Sequence, residues 1–443
     1  MPESDMQIHF KFDQNHIFLW TFLALQILVL IAYLNFSASW NNGSHKKLWG
    51  SKGSISFLDQ SNQTIFSKLG LSKFKVYYHS DVNTEIYLKT EKIEKFFITV
   101  NDTVCYQMGT DVEYMKRKSK FYNRVEKCEC MPGYHGNDCS FPEVIWRAFI
   151  AFRQEAIIQK RSKTRRIIHM FVITHPAQIP LAAIKINELF DIVDLFIVAE
   201  SDLNQNGESK PFYFKLKLDK GLCQGKQHKI LFTPIYQSGG EKESASKISW
   251  EKSRKIIKNL RDDDIFIQLD SLEIPNSKAL LFFKLFDGFT LPVQFRLKWN
   301  VFGYFYQHPN KAKKVTAGST VLMLENLYDN DPNLIQSQVW FVVGDLNHYG
   351  GWFCELCYNI NEIPNFIQST TDQQNGKNFL NHDLIDEKYL EQIIGDGIYI
   401  DGKTQLINNY EGKDNYYAPE YVVQHYWKYS NLMINLYNKA DYN

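Results

Sequence analysis

This sequence has little cysteine. Seven cysteines in 443 residues cannot staple a scaffold of that size, so a disulfide-built fold is excluded and the placement of the thiols matters more than their number. Neither sign of charge prevails. Lys plus Arg is 50 against 49 Asp plus Glu, a formal net charge of +1, which excludes a nucleic-acid binder working through a basic field. Internal repeats and low-complexity tracts are missing. What is present is apolar material: 44% hydrophobic and 15% aromatic residues with 22% charged. That balance excludes a mostly disordered chain and supplies a sizeable core. At roughly 100–200 residues per domain, the length suggests two or three units.

One long apolar run breaks this balance. Ile17 to Phe36 contains no charged residue, and about 20 residues at ~1.5 Å rise cross a ~30 Å hydrocarbon core. It reads as an uncleaved transmembrane signal anchor over 17–36 behind a cytosolic tail of 1–16. A cleaved signal peptide, cut near Ser37-Ala38-Ser39, is the alternative. Lys46, Lys47 and Lys52 follow the run, and by the positive-inside rule they place the C-terminal side in the cytosol. Glycosylation sequons at Asn42, Asn62 and Asn101 argue the reverse, for an exposed lumenal stem over 37–104. The cysteine pattern behind them argues the same way.

That pattern is Cys128-x-Cys130-x-x-Gly133-Tyr134-x-Gly136-x-x-Cys139, with Cys105 upstream. It resembles the C-terminal half of an EGF-like module, in which glycines permit tight turns and bridges staple a fragment too small for its own core. The resemblance covers 105–140 and implies the pairs Cys105–Cys128 and Cys130–Cys139, hence an oxidising compartment. A zinc knuckle is the rival reading, but no second pair stands nearby at zinc spacing.

From Arg165 onward, short apolar runs alternate with helical spacing. Ile167–Ile173, Leu195–Ala199, Lys229–Phe232 and Ile265–Leu269 read as strands, with Leu181, Ile184, Lys185, Glu188 and Leu189 on one helix and another helix around Trp250 to Leu260. Such alternation predicts an α/β parallel sheet. Val293, Phe295, Leu297, Trp299 and Val301 share one face of a half-buried strand, so antiparallel additions are expected.

In open α/β sheets, ligands bind beyond the carboxyl ends of the strands. Thr174-His175-Pro176, Glu200-Ser201 and Asp270-Ser271-Leu272-Glu273-Ile274-Pro275 occupy those places. Asp270 and Glu273 supply oxygen ligands suited to Mg²⁺ or Mn²⁺ bridging a diphosphate; a helix N-cap with a dipole complement is the plainer reading of the pattern alone. Asp262-Asp263-Asp264 precedes its strand and reads as a solvated turn at the opposite edge. Cys354-x-x-Cys357 reads as a structural disulfide element, with Cys223 left over and free to bridge either. His348 is a candidate for substrate contact or for a structural hydrogen bond. Tyr304, Tyr306, Trp352, Tyr416 and Tyr417 are candidates for sugar stacking or for core.

The segments Asn187-Glu188-Leu189, Asp191-Ile192-Val193-Asp194, Val198-Ala199-Glu200-Ser201, Asp270 with Glu273-Ile274-Pro275, Phe283–Gly288, Gly350–Cys357 and Tyr417-Ala418-Pro419-Glu420-Tyr421 together resemble glycosyltransferase family 17, the family of the bisecting GlcNAc-transferases. The likeness spans 165–443. It implies a GT-A-like, Rossmann-type nucleotide-sugar domain that transfers GlcNAc from UDP-GlcNAc in β-1,4 linkage to the core β-mannose of N-glycans, with inversion. It implies Glu200 at the nucleotide, Asp270 and Glu273 at a divalent metal and the donor diphosphate, and Asp287 as general base, with an Asp-Gly turn as that residue's other role. It also implies a single-pass type II protein of the Golgi membrane with its catalytic domain in the lumen. The family shows Asp-x-Asp-Glu at the metal site, and here the second Asp is Leu272. A catalytically weakened member that binds glycans or modulates another transferase is therefore the alternative.

Overall fold

The computed structural model describes residues 26, 78–80, 84–100, 102–121, 127–152, 157–203, 207–236, 244–337, 341–371, 385–410, 412 and 415–438. All of the run at 17–36 except Gln26, and the sequons at Asn42, Asn62 and Asn101, lie outside the described residues. Among the described residues no helix is long and apolar enough to cross a membrane.

The apolar runs form the expected strands: β1 (Ile167–Ile173), β2 (Leu195–Ser201), β3 (Ile230–Ile235) and β4 (Ile265–Gln268). β1 pairs in parallel with β2 and β4, and β2 with β3, so the spatial order β3-β2-β1-β4 changes direction beside β1. The crossovers carry helices α1 (Ile179–Leu189), α2 (Tyr213–Asp219) and α3 (Ala245–Ile256). Because side chains alternate across a strand, β1 sends Ile168 and Met170 to one face, under Trp250 of α3. Ile167, Phe171 and Ile173 go to the other, with Leu181 and Ile184 of α1. Each such buried side chain stabilises the fold by roughly 1.5–3 kcal/mol.

The second half of the sheet is antiparallel and mixed. It contains β5 (Glu273–Pro275), β6 (Val293–Val301), β7 (Gly303–Thr320), β8 (Phe341–Val343), β9 (Gly351–Glu355) and β10 (Ile407–Asn408). The main path runs β5-β9-β6-β7-β4, with β8 on β6 and β10 on β7. β4 and β5 are four strand positions apart, about 4.8 Å each. Yet only Leu269–Leu272 joins them, and that link is a tight turn in which Glu273 N donates to Asp270 O at 3.0 Å. The sheet must curl to bring β5 back beside the end of β4. Helix α4 (Ser277–Leu285) follows, started as expected by Asn276, whose side chain accepts from Lys278 N and Ala279 N.

Residues 84–100, expected in the stem, instead pack on this sheet: Ile86 and Leu88 are buried with the Trp250 cluster. Apolar side chains at alternate positions make that segment part of the domain rather than a solvated stalk. A hairpin, Phe97–Val100 with Thr103–Tyr106, leads into the cysteine module. The structure pairs Cys105 with Cys128 and Cys130 with Cys139, around a small core of Val100, Met115 and the half-cystines. Gly133 and Gly136 take φ of +82° and +91°, left-handed turns that side-chain-bearing residues rarely adopt. Phe141 and Phe149, from the strand and helix after the module, pack on Phe282 of α4.

His169 sits within the sheet between Phe171 and Phe196, its Nδ1 3.1 Å from Ile267 O. Burial pushes its imidazole down to about 3, and the Lys185 charge adds to this. The unfolded chain therefore binds more protons than the folded one between about 3 and 6.5, and stability falls as pH drops through that window. Urea titration at pH 7.5 and pH 5 should show this loss for the wild type. His169→Phe should show a smaller loss, because the substituted ring has no proton to gain.

Candidate active site

Reversal of strand order makes a crevice beyond the carboxyl ends of β1 and β4. Asp270 stands there, exposed, two residues past β4. Its Oδ1 accepts from Leu272 N at 3.1 Å and Ser271 Oγ at 3.0 Å. Its amide donates to Glu273 Oε2 at 2.8 Å. Beneath the turn lies Lys185 of α1, fully buried, donating to the Asp270 carbonyl with its ammonium 4.6 Å from the Phe171 ring centroid. Desolvation pushes that ammonium down to about 7, against the upward pull of Asp270 and Glu273. Lys313 of β7 reaches the same turn from the side: its Nζ is 2.9 Å from Glu273 Oε1 and 4.0 Å from the Phe353 centroid.

β9 continues the edge. Glu273 pairs with Phe353, so Glu355, two residues on, shares that face. Its carboxylate accepts from Trp299 Nε1 at 2.8 Å and is hydrogen-bonded by Tyr399. Burial raises its pKa above the usual carboxylate range, while those two donors and the Lys313 charge pull it back. Trp299 stacks on His308, centroids 3.9 Å apart and 12° between planes, and His308 meets Tyr399 edge-on at 5.2 Å. Trp299 and Tyr399 stay partly exposed, a pair of faces suited to a sugar ring. On the other side of Asp270, Tyr358 and His175 both pack on Phe366, at 4.8 and 5.4 Å. Burial and the Asp270 charge push the Tyr358 hydroxyl well above 10.

Glu200 is the next-to-last residue of β2 at this edge, but its oxygens are engaged. They accept from Phe214 N at 3.0 and 3.3 Å, tying down the start of α2, and Lys210 Nζ lies 3.5 Å away. Burial raises its pKa, and Lys210 with the helix amides lowers it again.

Asp287, expected as the base, is not brought to this edge. It follows α4 and is held by Arg161 Nη1 at 2.5 and 2.6 Å and by Arg165 Nη2 at 2.5 Å. Arg161 also holds Asp263, which precedes β4, whereas Asp270 follows it. The length of β4 separates the two carboxylates. Asp263 and Asp264 do lie at that opposite edge, but Asp264 is not solvated: it is fully buried against Arg166.

The remaining candidates settle into structural places. Cys354 and Cys357 pair with each other, and Cys223 is free, its thiol pushed up to about 11 by burial. His348 Nδ1 lies 3.1 Å from Asp345 Oδ1. Tyr304, Tyr306, Trp352 and Tyr417 are buried. Tyr306 donates to Ile394 O, Trp352 to Tyr416 O and Tyr417 to Met433 O. They are core rather than a sugar platform.

The expected divalent ion fits these residues poorly. Both Glu273 oxygens already accept, Leu272 is 8% exposed within the main core, and a hard cation needs several convergent oxygens. Among the described residues, no group of three or more His, Cys, Asp or Glu side chains is gathered to hold a metal.

A curled α/β sheet with an acidic turn at its switch point places a ligand crevice beyond the carboxyl ends of the strands. Residues 96–402 match the family model described as Glycosyltransferase family 17, and the chain belongs to that family. It is similar to rat and human beta-1,4-mannosyl-glycoprotein 4-beta-N-acetylglucosaminyltransferase, each 28% identical over 340 residues and 71% of this chain. The mouse protein of the same name is 27% identical over the same length. The chain spans 62% of the rat relative and 63% of the human one.

Several residues at the edge had little or no signal in the sequence. Lys185 was visible only as one position of a helical stripe, and Glu355 only inside the Gly350–Cys357 segment. Trp299 was visible as one face of an alternating strand. Lys313 and Tyr399 gave no signal, because sheet pairing over long sequence separations brings them in.

Proposed function

We propose that this chain transfers GlcNAc from UDP-GlcNAc to a mannose hydroxyl of an N-glycan, in β-1,4 linkage to the core β-mannose and with inversion at the anomeric carbon. One observation carries the reading. The Asp270–Glu273 turn at the strand switch point shares an edge with Glu355 and the Trp299–Tyr399 pair. A donor site and an acceptor platform are thereby adjacent. Family membership and the names of the relatives support the donor and acceptor classes.

In this mechanism the acceptor sugar lies on Trp299 and Tyr399, and Glu355 removes the proton of its attacking hydroxyl. The oxygen bonds to the anomeric carbon on the face opposite the nucleotide. The bond to the diphosphate breaks, and UDP leaves with the electron pair. A raised carboxylate pKa suits a base working near neutral pH. Asp270 takes the donor side, accepting hydrogen bonds from donor hydroxyls. The disulfides support residence in an oxidising compartment, in keeping with a Golgi membrane protein anchored through 17–36 with its catalytic domain in the lumen.

The experiment is incubation of the full chain with UDP-GlcNAc and a biantennary N-glycan, with linkage analysis of the product. A bisected product is expected. The absence of both transfer and UDP release would overturn the assignment. The burial of Leu272 where the family shows Asp favours a second reading, a non-catalytic glycan-binding member. Turnover that Asp270→Ala abolishes rules that reading out.

A further inference from the structure

We propose that the ammonium of Lys313 replaces the divalent cation at the Asp270–Glu273 turn, so that the chain binds the diphosphate of its nucleotide-sugar donor without a metal. This rests on the donor site assigned above and concerns only what balances the charge there.

The donor set is the first argument. A small hard cation takes an octahedral shell of oxygens, supplied in nucleotide sites by one or two carboxylates, water and phosphate. Here Glu273 Oε2 accepts the Asp270 amide at 2.8 Å, and Glu273 Oε1 accepts Lys313 Nζ at 2.9 Å. Asp270 Oδ1 accepts twice from within the turn. The side chain between them, Leu272, has no oxygen and is buried in the core.

Charge is the second argument. Two carboxylates at the turn face two lysines, Lys185 below and Lys313 beside. A dication placed against Glu273 would meet the Lys313 ammonium within a few ångström, where like charges repel strongly near a protein surface. An incoming diphosphate would instead be attracted by it. Lys313 is built for that contact. Its side chain is 41% exposed, its ammonium lies 4.0 Å from the Phe353 ring centroid, and an ammonium carries three donors, so the pair with Glu273 leaves hydrogen-bonding capacity for phosphate oxygens.

Calorimetry of UDP binding to the full chain tests this, with EDTA or with added Mn²⁺, alongside a Mn²⁺ titration without nucleotide. UDP should bind equally well in both conditions, and Mn²⁺ alone should give no saturable heat. Lys313→Met should weaken UDP binding at least about tenfold, ~1.4 kcal/mol, and Lys313→Arg should retain most of it. The paired change Glu273→Gln with Lys313→Met removes both charges without stranding a buried carboxylate, and it should bind UDP as poorly as Lys313→Met. If the paired variant binds like the wild type, Lys313 is only a partner for Glu273 and the proposal is overturned. UDP binding that requires Mn²⁺ overturns it too, while the donor assignment stands. Absence of UDP binding in both conditions overturns the donor assignment with it.

Discussion

Glu355→Gln should lower kcat for GlcNAc transfer by about 10²–10⁴-fold, the range for loss of a positioned general base, and leave UDP binding close to that of the wild type. The amide keeps an oxygen for Trp299 Nε1, which now donates to Glu355 at 2.8 Å, so the platform should stay in place. What disappears is the group that takes the proton. Desolvation raises the Glu355 pKa, so the carboxylate is protonated up to a higher pH than an ordinary Glu. The acid limb of kcat/KM should therefore lie above the usual carboxylate range near 4.3 and vanish in the Gln variant. A drop in UDP affinity with kcat unchanged would move Glu355 to the donor side and sink its role as base.

Asp287→Asn supplies the contrast. Its carboxylate joins Arg161 and Arg165 at the far end of α4, so the change should leave kcat within a few-fold and act on stability. Partly exposed ion pairs are worth little singly, about 0–1 kcal/mol, although two arginines share this one. A collapse of kcat with UDP binding intact would return the catalytic role to Asp287.

The fold was more legible in the sequence than the site, for a physical reason. Apolar runs such as Ile167–Ile173 are buried on both faces, so their composition alone marks parallel strands. Val293–Leu297 announced itself by alternation because one face is half exposed, but from Lys298 the pattern fails: Lys298 and Asn300 are buried and Trp299 is partly exposed, where the register shifts. Asp270 and Glu273 were legible because a strand and a helix start bracket them in thirteen consecutive residues, 265–277. Glu355 and Lys313 depended on pairings that no local pattern carries: β5 with β9, and β7 with β6. Asp287 was misplaced for the same reason. Its role as base rested on the family resemblance, with an Asp-Gly turn as the other reading, and the direction of α4 puts it at the opposite edge, held by Arg161 and Arg165. The aromatic candidates stayed open between platform and core because tyrosine and tryptophan serve both, and burial puts Tyr304, Tyr306, Trp352 and Tyr417 in the core. Only burial separates Tyr304 from Tyr399.

Asp264→Ala should cost about 3–5 kcal/mol of stability, the range for breaking a buried ion pair by removing one partner. Arg166 Nε donates to Asp264 Oδ1 at 2.8 Å, and Nη2 donates to Oδ2. Nη1 and Nη2 also donate to the carbonyls of Leu88 and Asn259. Arg166 precedes β1 and Asp264 precedes β4, and Ile265 N donates to Arg166 O at 2.9 Å. The pair thus clamps the starts of the two strands whose other ends frame the crevice, and it ties in the segment containing Leu88. With Asp264 gone, the guanidinium stays buried at 1% exposure with carbonyl dipoles but no counter-charge. Arg166 cannot escape by losing its proton. The double change Arg166→Met with Asp264→Leu removes both charges and should recover much of the loss, because a buried pair replaced by apolar groups is often near neutral. Denaturant titration of the three variants measures both numbers. Since the clamp lies at the edge away from Asp270 and Glu355, transfer activity per folded molecule should be retained. A variant that keeps its stability but loses turnover would instead mean that this clamp sets the geometry of the crevice.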